Sequence, residues 1–155
     1  LENIVQFVLD HLKVVAEAED REVVPMLDML CLIQEQFSEG VQDIIASRKD
    51  ELLKLVDSLQ TPIADIPRIQ SLLRLLSGLA STPQFCVGAA DKISRKLLHK
   101  WPKVRQAAAD AAFLLAPDTI QLAVDWNAPA LANKAEVLKV RRTMGVVGRA
   151  EAVSA

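Results

Sequence analysis

The chain has 155 residues and a net charge of −2, and 51% of its residues are hydrophobic against 25% charged. That much apolar content excludes wholesale disorder and can form a packed core. Aromatic residues make up only 4% and tyrosine is absent, so leucine, alanine and valine dominate the core, which favours packed helices over sheets. No uninterrupted apolar run approaches the ~18 residues of a membrane-spanning helix, and we expect no membrane association.

The charges are unevenly distributed along the chain. Residues 1–66 hold 14 acidic and 5 basic side chains, a balance of −9, whereas residues 91–149 hold 11 basic and 5 acidic ones, a balance of +6. Blocks of like charge most often form solvated faces. The alternative is that the basic end contacts an acidic protein, because complementary charge steers association.

Helical periodicity begins at the N-terminus and continues as far as two closely spaced prolines, Pro62 and Pro67. Three apolar stripes recur at intervals of three and four residues, as expected for amphipathic helices. They comprise Ile4, Phe7, Val8, Leu12 and Val15; then Val24, Leu27, Leu30, Ile33 and Phe37; and then Ile45, Leu52, Leu55, Val56 and Leu59. We predict that Gly40 lies just beyond the second helix. The two prolines predict an internal break at 60–67.

Five further helices are predicted after the break. The first of them has the most regular amphipathic pattern in the chain. Trp101 and Pro102 form a corner between the second and the third, and Gly145 is expected at the end of the last. The apolar residues of the five helices are, in order, Ile69, Leu72, Leu73, Leu76 and Leu79; Ile93, Leu97 and Leu98; Val104, Ala108, Ala111 and Leu115; Ile120 and Val124; and Val137, Val140, Met144 and Val147.

The helices and their short connections predict an all-α fold, since no stretch shows the two-residue alternation of a strand. About eight helices, at roughly 40 residues per repeat, are typical of a HEAT- or armadillo-like α-solenoid of stacked antiparallel helix pairs. We therefore predict a single HEAT-like helical domain over residues 1–155, with the possible break at 60–67. Because the first residue is Leu1 and not methionine, we expect a fragment of a longer HEAT-repeat protein.

The segment 101–116 gives the most specific fold signal. Pro102 stands where a helix would begin, and the small residues after Arg105 let a neighbouring helix approach closely. We expect Arg105 to reach inward to a neighbouring loop, while for Trp101 and Trp126 core anchoring competes with contact to a partner. The residues to which we assign structural roles are Trp101, Pro102, Val104, Arg105, Ala108, Ala111 and Trp126.

The sequence shows no combination of residues that supports catalysis. His11 and His99 have no second ligand at metal-binding spacing, and Gly145–Gly148 lacks the strand and the lysine of a phosphate loop. We predict no catalytic residue, no metal and no cofactor. Cys31 and Cys86 are expected to be free thiols in a reduced, cytoplasmic protein.

The basic end supplies the candidate partner-binding residues. They are Lys96, Lys100, Lys103, Lys139, Arg141 and Arg142. An ordinary solvated face is the alternative for this set. A nucleic acid would also meet basic side chains here, but only Trp101 interleaves with them and no known binding motif is present, so we predict no nucleic-acid partner.

Four segments form an ordered set of motifs along the chain. They are Arg21–Leu30; Ile69–Ala80, which contains Leu75-Leu76-Ser77-Gly78; Ser94–Arg105, which contains Trp101-Pro102-Lys103-Val104-Arg105; and Asp125-Trp126 followed by Val140-Arg141-Arg142 and Gly145. Together they resemble the C-terminal domain of tubulin-folding cofactor D over residues 20–148. Trp101 stands where that family is expected to have phenylalanine.

The resemblance implies a large, non-catalytic HEAT-repeat chaperone in the cytoplasm, associated with the microtubule cytoskeleton. Such a protein captures β-tubulin, works with tubulin cofactors E and C and associates with an Arf-like small GTPase, and it assembles or dissociates the αβ-tubulin heterodimer. Two other functions remain open. One is a generic HEAT-repeat adaptor for another protein, such as a phosphatase scaffold or a transport factor, and the other is a helical enzyme.

Overall fold

The computed structural model describes residues 1–18, 21–59, 65–82, 85–119 and 124–146, and this part of the chain is helical without a strand. It contains eight α-helices: α1 (Glu2–Ala18), α2 (Val23–Gln36), α3 (Ser38–Ser47), α4 (Lys49–Leu59), α5 (Ile66–Leu79), α6 (Cys86–Lys96), α7 (Pro102–Leu115) and α8 (Lys134–Thr143). Two short 3₁₀ turns lie at Pro117–Thr119 and Ala130–Asn133. The prediction of an all-helical chain with about eight helices is confirmed for these residues.

The helix boundaries differ from the prediction at three places. The stripe that begins at Ile45 belongs to two helices, because the backbone leaves helical geometry at Arg48 between α3 and α4. Gly40 lies inside α3 and not beyond α2, since the chain turns earlier, at Phe37 (φ −124°, ψ 38°). The helix predicted after Pro117 is a 3₁₀ turn as far as it is described, and the predicted core positions Ile120 and Val147 lie outside the described residues.

The chain forms two compact units, residues 1–78 and 79–155. The division falls at the end of α5, whereas we predicted a break at 60–67, of which residues 60–64 lie outside the described part. In the first unit α1 packs against α2 and α4, and α3 packs against both α2 and α4. The largest fully buried side chains of this unit are Leu9, Leu12, Leu27, Leu30, Ile45, Leu52, Leu59, Ile69, Leu73 and Leu75.

The apolar stripe predicted for α1 is rotated from the buried face. Ile4 and Phe7 are 53% and 64% exposed, and the Phe7 ring stacks on His11 with 6.0 Å between ring centroids. The residues that α1 buries are Val5, Val8, Leu9, Leu12 and Val15. Because α1 has apolar residues on more than one face, its periodicity alone did not select the face that packs.

Polar side chains hold α5 against α2 in the first unit. The guanidinium of Arg74 donates to both carboxylate oxygens of Glu35, from Nε at 2.8 Å and from Nη2 at 2.7 Å. This hydrogen bonding from Arg74 lowers the pKa of Glu35. Ser71 Oγ donates to Asp28 Oδ1 at 2.8 Å, so the two helices are joined at two levels.

The side chain of Gln34, on α2, reaches Gly78 of the Leu-Leu-Ser-Gly motif on α5. A Cβ atom at this position would lie 2.4 Å from Gln34 Oε1, so the side chain of Gln34 would have to move. The motif therefore has a packing explanation that does not require a nucleophilic or ligand-binding role for Ser77-Gly78.

The two cysteines are free thiols, as predicted. Burial raises the pKa of the Cys31 thiol to about 12, and its Sγ lies 3.8 Å from the Ser71 carbonyl oxygen. Cys86 is exposed at the start of α6. A thiol with a pKa this high is unreactive at neutral pH, so Cys31 is a core residue.

The second unit is built around α6 and α7. In it α6 packs against α7 and α8, and α8 also packs against both 3₁₀ turns. Val104 and Ala108 are fully buried and Ala111 is 5% exposed, as predicted for the inward face of α7, whereas Leu115, predicted on the same face, is half-buried. The small side chains of this face let α6 and α7 pack closely.

Gly145 ends α8, as the sequence predicted. Gly145 has φ +73°, and its N–H donates to the Arg142 carbonyl at 3.0 Å. The N–H of Val146 donates to the Arg141 carbonyl at 3.1 Å. This pair of hydrogen bonds is a Schellman motif, which needs a residue with positive φ and so favours glycine.

Candidate protein-binding corner

The corner predicted between α6 and α7 lies at residues 97–101. Trp101 has extended geometry (φ −88°, ψ 125°) because the residue before a proline is disfavoured in helical conformation. Pro102 then occupies the first turn of α7, where its missing N–H breaks no helical hydrogen bond. The predicted structural role of Pro102 is therefore confirmed. We call the residues Lys96, His99, Lys100, Trp101 and Lys103 the Trp101 corner.

The buried side chain of Arg105 fixes the backbone of this corner by hydrogen bonds. It is 2% exposed, and its five N–H groups donate to five backbone carbonyls. The acceptors are His99 and Lys100 from Nη1 at 2.7 and 3.0 Å, Asn127 and Ala128 from Nη2 at 3.2 and 2.7 Å, and Trp126 from Nε at 2.8 Å. The inward reach predicted for Arg105 is confirmed, and the loop that it holds is the 126–128 turn.

The buried charge of Arg105 is not neutralised by an acid. Within the described part of the chain, no carboxylate oxygen lies within 4.0 Å of its guanidinium, which is solvated by carbonyl dipoles instead. Trp126, whose carbonyl is one of these acceptors, is 6% exposed, as expected for a core anchor. The Arg105 guanidinium thus fixes the corner, and its charge adds to the positive potential of the corner.

His99 also fixes the backbone of the corner, by a hydrogen bond to Trp101. Its Nδ1 accepts a hydrogen bond from the Trp101 N–H at 3.1 Å, so the imidazole is neutral and carries its proton on Nε2. Burial lowers the pKa of His99, and the positive charges of Lys96, Lys100 and Arg105 lower it further. The imidazole therefore serves as a neutral hydrogen-bond acceptor among cations.

Trp101 is exposed, so of the two roles left open for it, core anchoring does not apply. The side chain is 40% exposed, and Lys100 Nζ lies 5.1 Å from the centroid of its ring, within range of a cation–π interaction. Proline at position 102 holds the preceding residue extended, so the indole stays at the surface of the corner. Trp126, by contrast, occupies the core of the same unit.

The three lysines of the Trp101 corner form no ion pair with an acid in the described part of the chain. Lys100 and Lys103 are exposed and Lys96 is half-buried, and burial together with the charge of Lys92 lowers the pKa of Lys96. Among the described residues, no carboxylate lies within 4.0 Å of these three ammonium groups. The corner therefore presents cationic charge to solvent without local compensation.

The candidates on α8 have different environments. Arg141 is 5% exposed and donates from Nη2 to Asp91 Oδ1 and from Nη1 to Ser94 Oγ, both at 2.8 Å. The prediction of Arg141 as a partner-binding residue is wrong, because its guanidinium is used inside the unit. Lys139 pairs with Glu136 at 3.0 Å, and Arg142 is exposed.

Asp91 is the half-buried acid that sequence reasoning missed. Its carboxylate accepts from Arg141 and also from Arg95 Nε, at 3.0 and 3.1 Å. Burial opposes ionisation of Asp91, but the hydrogen bonds from the two arginines outweigh it and lower its pKa. The four-residue spacing of Asp91 and Arg95 was visible in the sequence, whereas Arg141 is fifty residues away.

The remaining described residues offer little chemistry. They contain no group of three or more His, Cys, Asp or Glu side chains placed to hold a metal ion. None of their helices combines the length and the apolar character needed to cross a membrane. An open groove of about 520 Å³ lies between α1 and α4, where Lys13 pairs with Glu51 across it.

In comparison with known proteins, no family model, curated protein or solved structure matches the chain. The functional assignment therefore depends on the residues of the chain and their geometry.

Proposed function

We propose that the chain is a non-catalytic protein-binding scaffold made of HEAT-like repeats, and that it serves as the C-terminal helical domain of a chaperone of the tubulin-folding cofactor D class. The observation that carries the proposal is the Trp101 corner, where an exposed indole lies beside lysines that have no carboxylate within 4.0 Å among the described residues. Such a surface suits an acidic protein partner, because charge complementarity speeds association and selects the partner.

The helical packing supports the HEAT-like assignment. A proline opens α7, small residues form its buried face, and Arg105 reaches inward to the next loop. These three features give a helix pair that can stack closely on a neighbouring pair.

The motifs that resemble tubulin-folding cofactor D have physical roles, which supports the resemblance. The Trp101-to-Arg105 motif forms the corner, and the Asp125-Trp126 motif forms the turn that Arg105 holds. Arg141 joins α8 to α6, and Gly145 ends α8. Residues that are distant in sequence thus interact in one unit, as expected if they belong to one family signature.

The partner proposed for this scaffold is β-tubulin. Tubulin cofactors E and C and an Arf-like small GTPase are the further members of the complex, and the place of action is the cytoplasm, at the microtubule cytoskeleton. A scaffold of this kind acts by holding proteins together, so the proposal includes no cofactor, no nucleic acid and no membrane contact.

Affinity purification of the endogenously tagged protein tests this proposal. We expect β-tubulin and an Arf-like GTPase to co-purify in amounts comparable to the bait. A protein that carries Lys100→Glu and Lys103→Glu is the matched variant, and it should retain less tubulin. Recovery of other partners without tubulin would contradict the proposal and favour a generic HEAT adaptor.

A further inference from the structure

We infer that the Trp101 corner binds an acidic peptide segment, rich in Asp and Glu, of the partner protein. Lys100 and Lys103 would face its carboxylates while the exposed indole of Trp101 packs against its backbone or an apolar side chain. The inference rests on the proposed function, since it names the chemistry that a protein partner presents to this surface.

The distribution of charge in the second unit selects the corner. No acidic residue occurs between Lys92 and Ala109. Among the described cations elsewhere in this unit, Arg95 and Arg141 pair with Asp91 and Lys139 pairs with Glu136, whereas Lys134 and Arg142 are isolated exposed charges outside the corner. Uncompensated charges that lie close together sum to a local positive potential, which attracts an acidic chain.

The backbone of the corner is preorganised for binding. Arg105 bonds the carbonyls of His99 and Lys100, and His99 bonds the N–H of Trp101. Pro102 fixes the geometry of the residue before it. A surface that is already ordered loses little conformational entropy on association, so even a short peptide can gain measurable affinity.

The composition of the corner favours a peptide over a nucleic acid. Single-stranded nucleic acids bind where several aromatic side chains stack successive bases. The corner has one indole, and the Lys100 ammonium already lies over its ring.

Fluorescence anisotropy with a labelled peptide of alternating Glu and Gly tests the inference on the folded chain. We expect binding that weakens as salt rises from ~0.05 to ~0.5 M. Lys100→Glu with Lys103→Glu should weaken binding about tenfold or more, whereas Lys49→Glu with Lys134→Glu, at exposed positions outside the corner, should weaken it less than about threefold. Both double variants change the net charge equally, so equal losses would overturn the inference. Circular dichroism checks folding, and Lys100→Gln with Lys103→Gln replaces the first variant if it unfolds.

Acrylamide quenching gives an independent readout. Trp101 is exposed and Trp126 is buried, so the quenchable fluorescence comes mainly from Trp101. The acidic peptide should protect this signal, and Trp101→Ala should weaken peptide binding several-fold. Unchanged quenching at saturating peptide would overturn the inference, as would displacement of the peptide by a lower concentration of single-stranded DNA.

The outcome separates this inference from the proposed function. If tubulin co-purifies with the protein but the peptide does not bind, the corner is not the contact and the proposed function stands. If the peptide binds at the corner and tubulin does not co-purify, the corner has the inferred chemistry and the proposed partner is wrong.

Discussion

Arg105 shows how a single residue can determine the geometry of a surface from within the core. Its guanidinium fork has five donors in fixed directions, and each meets a carbonyl oxygen. Three of these acceptors belong to the 126–128 turn and two, His99 and Lys100, to the segment between α6 and α7. One side chain therefore joins a turn to the Trp101 corner, and no carboxylate is needed for it.

Replacing Arg105 tests this role. Arg105→Lys keeps the charge but has three donors instead of five, so at least two buried carbonyls lose their partner. We expect the free energy of unfolding, measured with urea, to fall by about 2–4 kcal/mol. Arg142→Lys is the control at an exposed position and should change it by less than about 0.5 kcal/mol. A loss no larger than that of the control would mean that Arg105 does not hold the corner.

His99 gives the stability of the chain a dependence on pH. Its folded-state pKa lies below the ordinary value of 6.5, so folding favours the neutral imidazole. The stabilisation from the neutral imidazole is complete above pH 6.5 and is lost as the pH falls through the folded-state pKa of His99. We expect the free energy of unfolding to decrease from pH ~7 to ~5.

The variant His99→Asn should lose most of this decrease, because Asn Oδ1 can accept the Trp101 N–H without titrating. His11→Asn, at the exposed pair with Glu22, is the control and should keep the decrease. Equal pH profiles for wild type and His99→Asn, followed by thermal unfolding, would show that His99 is not the titrating group.

At the scale of elements, α7 depends on small side chains for its packing. Ala108 is fully buried where α6 and α7 meet. Ala108→Leu should lower the free energy of unfolding by about 1–3 kcal/mol, because a close-packed interface cannot accept three more carbon atoms without strain. The same change at Ala135, exposed on α8, should have little effect. Similar melting temperatures for both variants would show that the helix contact is loose.

The junction of α6 and α8 depends on an acid that two arginines share. Asp91→Asn leaves the buried Arg141 without its carboxylate, so we expect a loss of about 1–3 kcal/mol at neutral pH in urea unfolding. Asp110→Asn, exposed on α7, should change stability by less than about 0.5 kcal/mol.

The pH dependence of this effect has a defined sign. The pKa of Asp91 is lowered in the folded state, so its contribution is present above the ordinary value of 3.8 and is lost as the pH falls through the folded-state pKa. The difference between wild type and Asp91→Asn should therefore shrink in acid. A difference that stays constant down to pH ~2 would contradict this role for the ionised carboxylate.

For the whole molecule, the acidic segment 1–66 and the basic segment 91–149 should affect the rate of association with a partner differently. Under the proposed function, Lys96→Glu, Lys100→Glu and Lys103→Glu together should slow the association of the protein with tubulin, most strongly at low salt. The matched change at exposed acids, Glu39→Lys, Asp43→Lys and Asp50→Lys, should not slow it. Stopped-flow association rates measure the effect, and equal slowing by both triples would indicate a general charge effect.

The residues of the candidate surface could be predicted from the sequence, but which of them are exposed and unpaired could not. The lysines and Trp101 lie close together along the chain, so any fold that makes a turn at Pro102 brings them near one another. The exposure of Trp101 and the burial of Trp126 depend on packing, as does the role of His99. The neighbouring residues Arg141 and Arg142 are chemically identical, and only one of them reaches Asp91.

The sequence by itself determined the features that depend on neighbours along the chain: the helical class, the start of α7 at Pro102, its face of small residues, and the glycine that ends α8. These follow from backbone sterics and helical periodicity, which act within a few residues. The tertiary structure alone decided which face of α1 is buried, where α3 and α4 separate, and which cations remain unpaired at the Trp101 corner. The physical reason is that burial and ion pairing depend on partners far away in sequence, such as Asp91 for Arg141 and the 126–128 turn for Arg105.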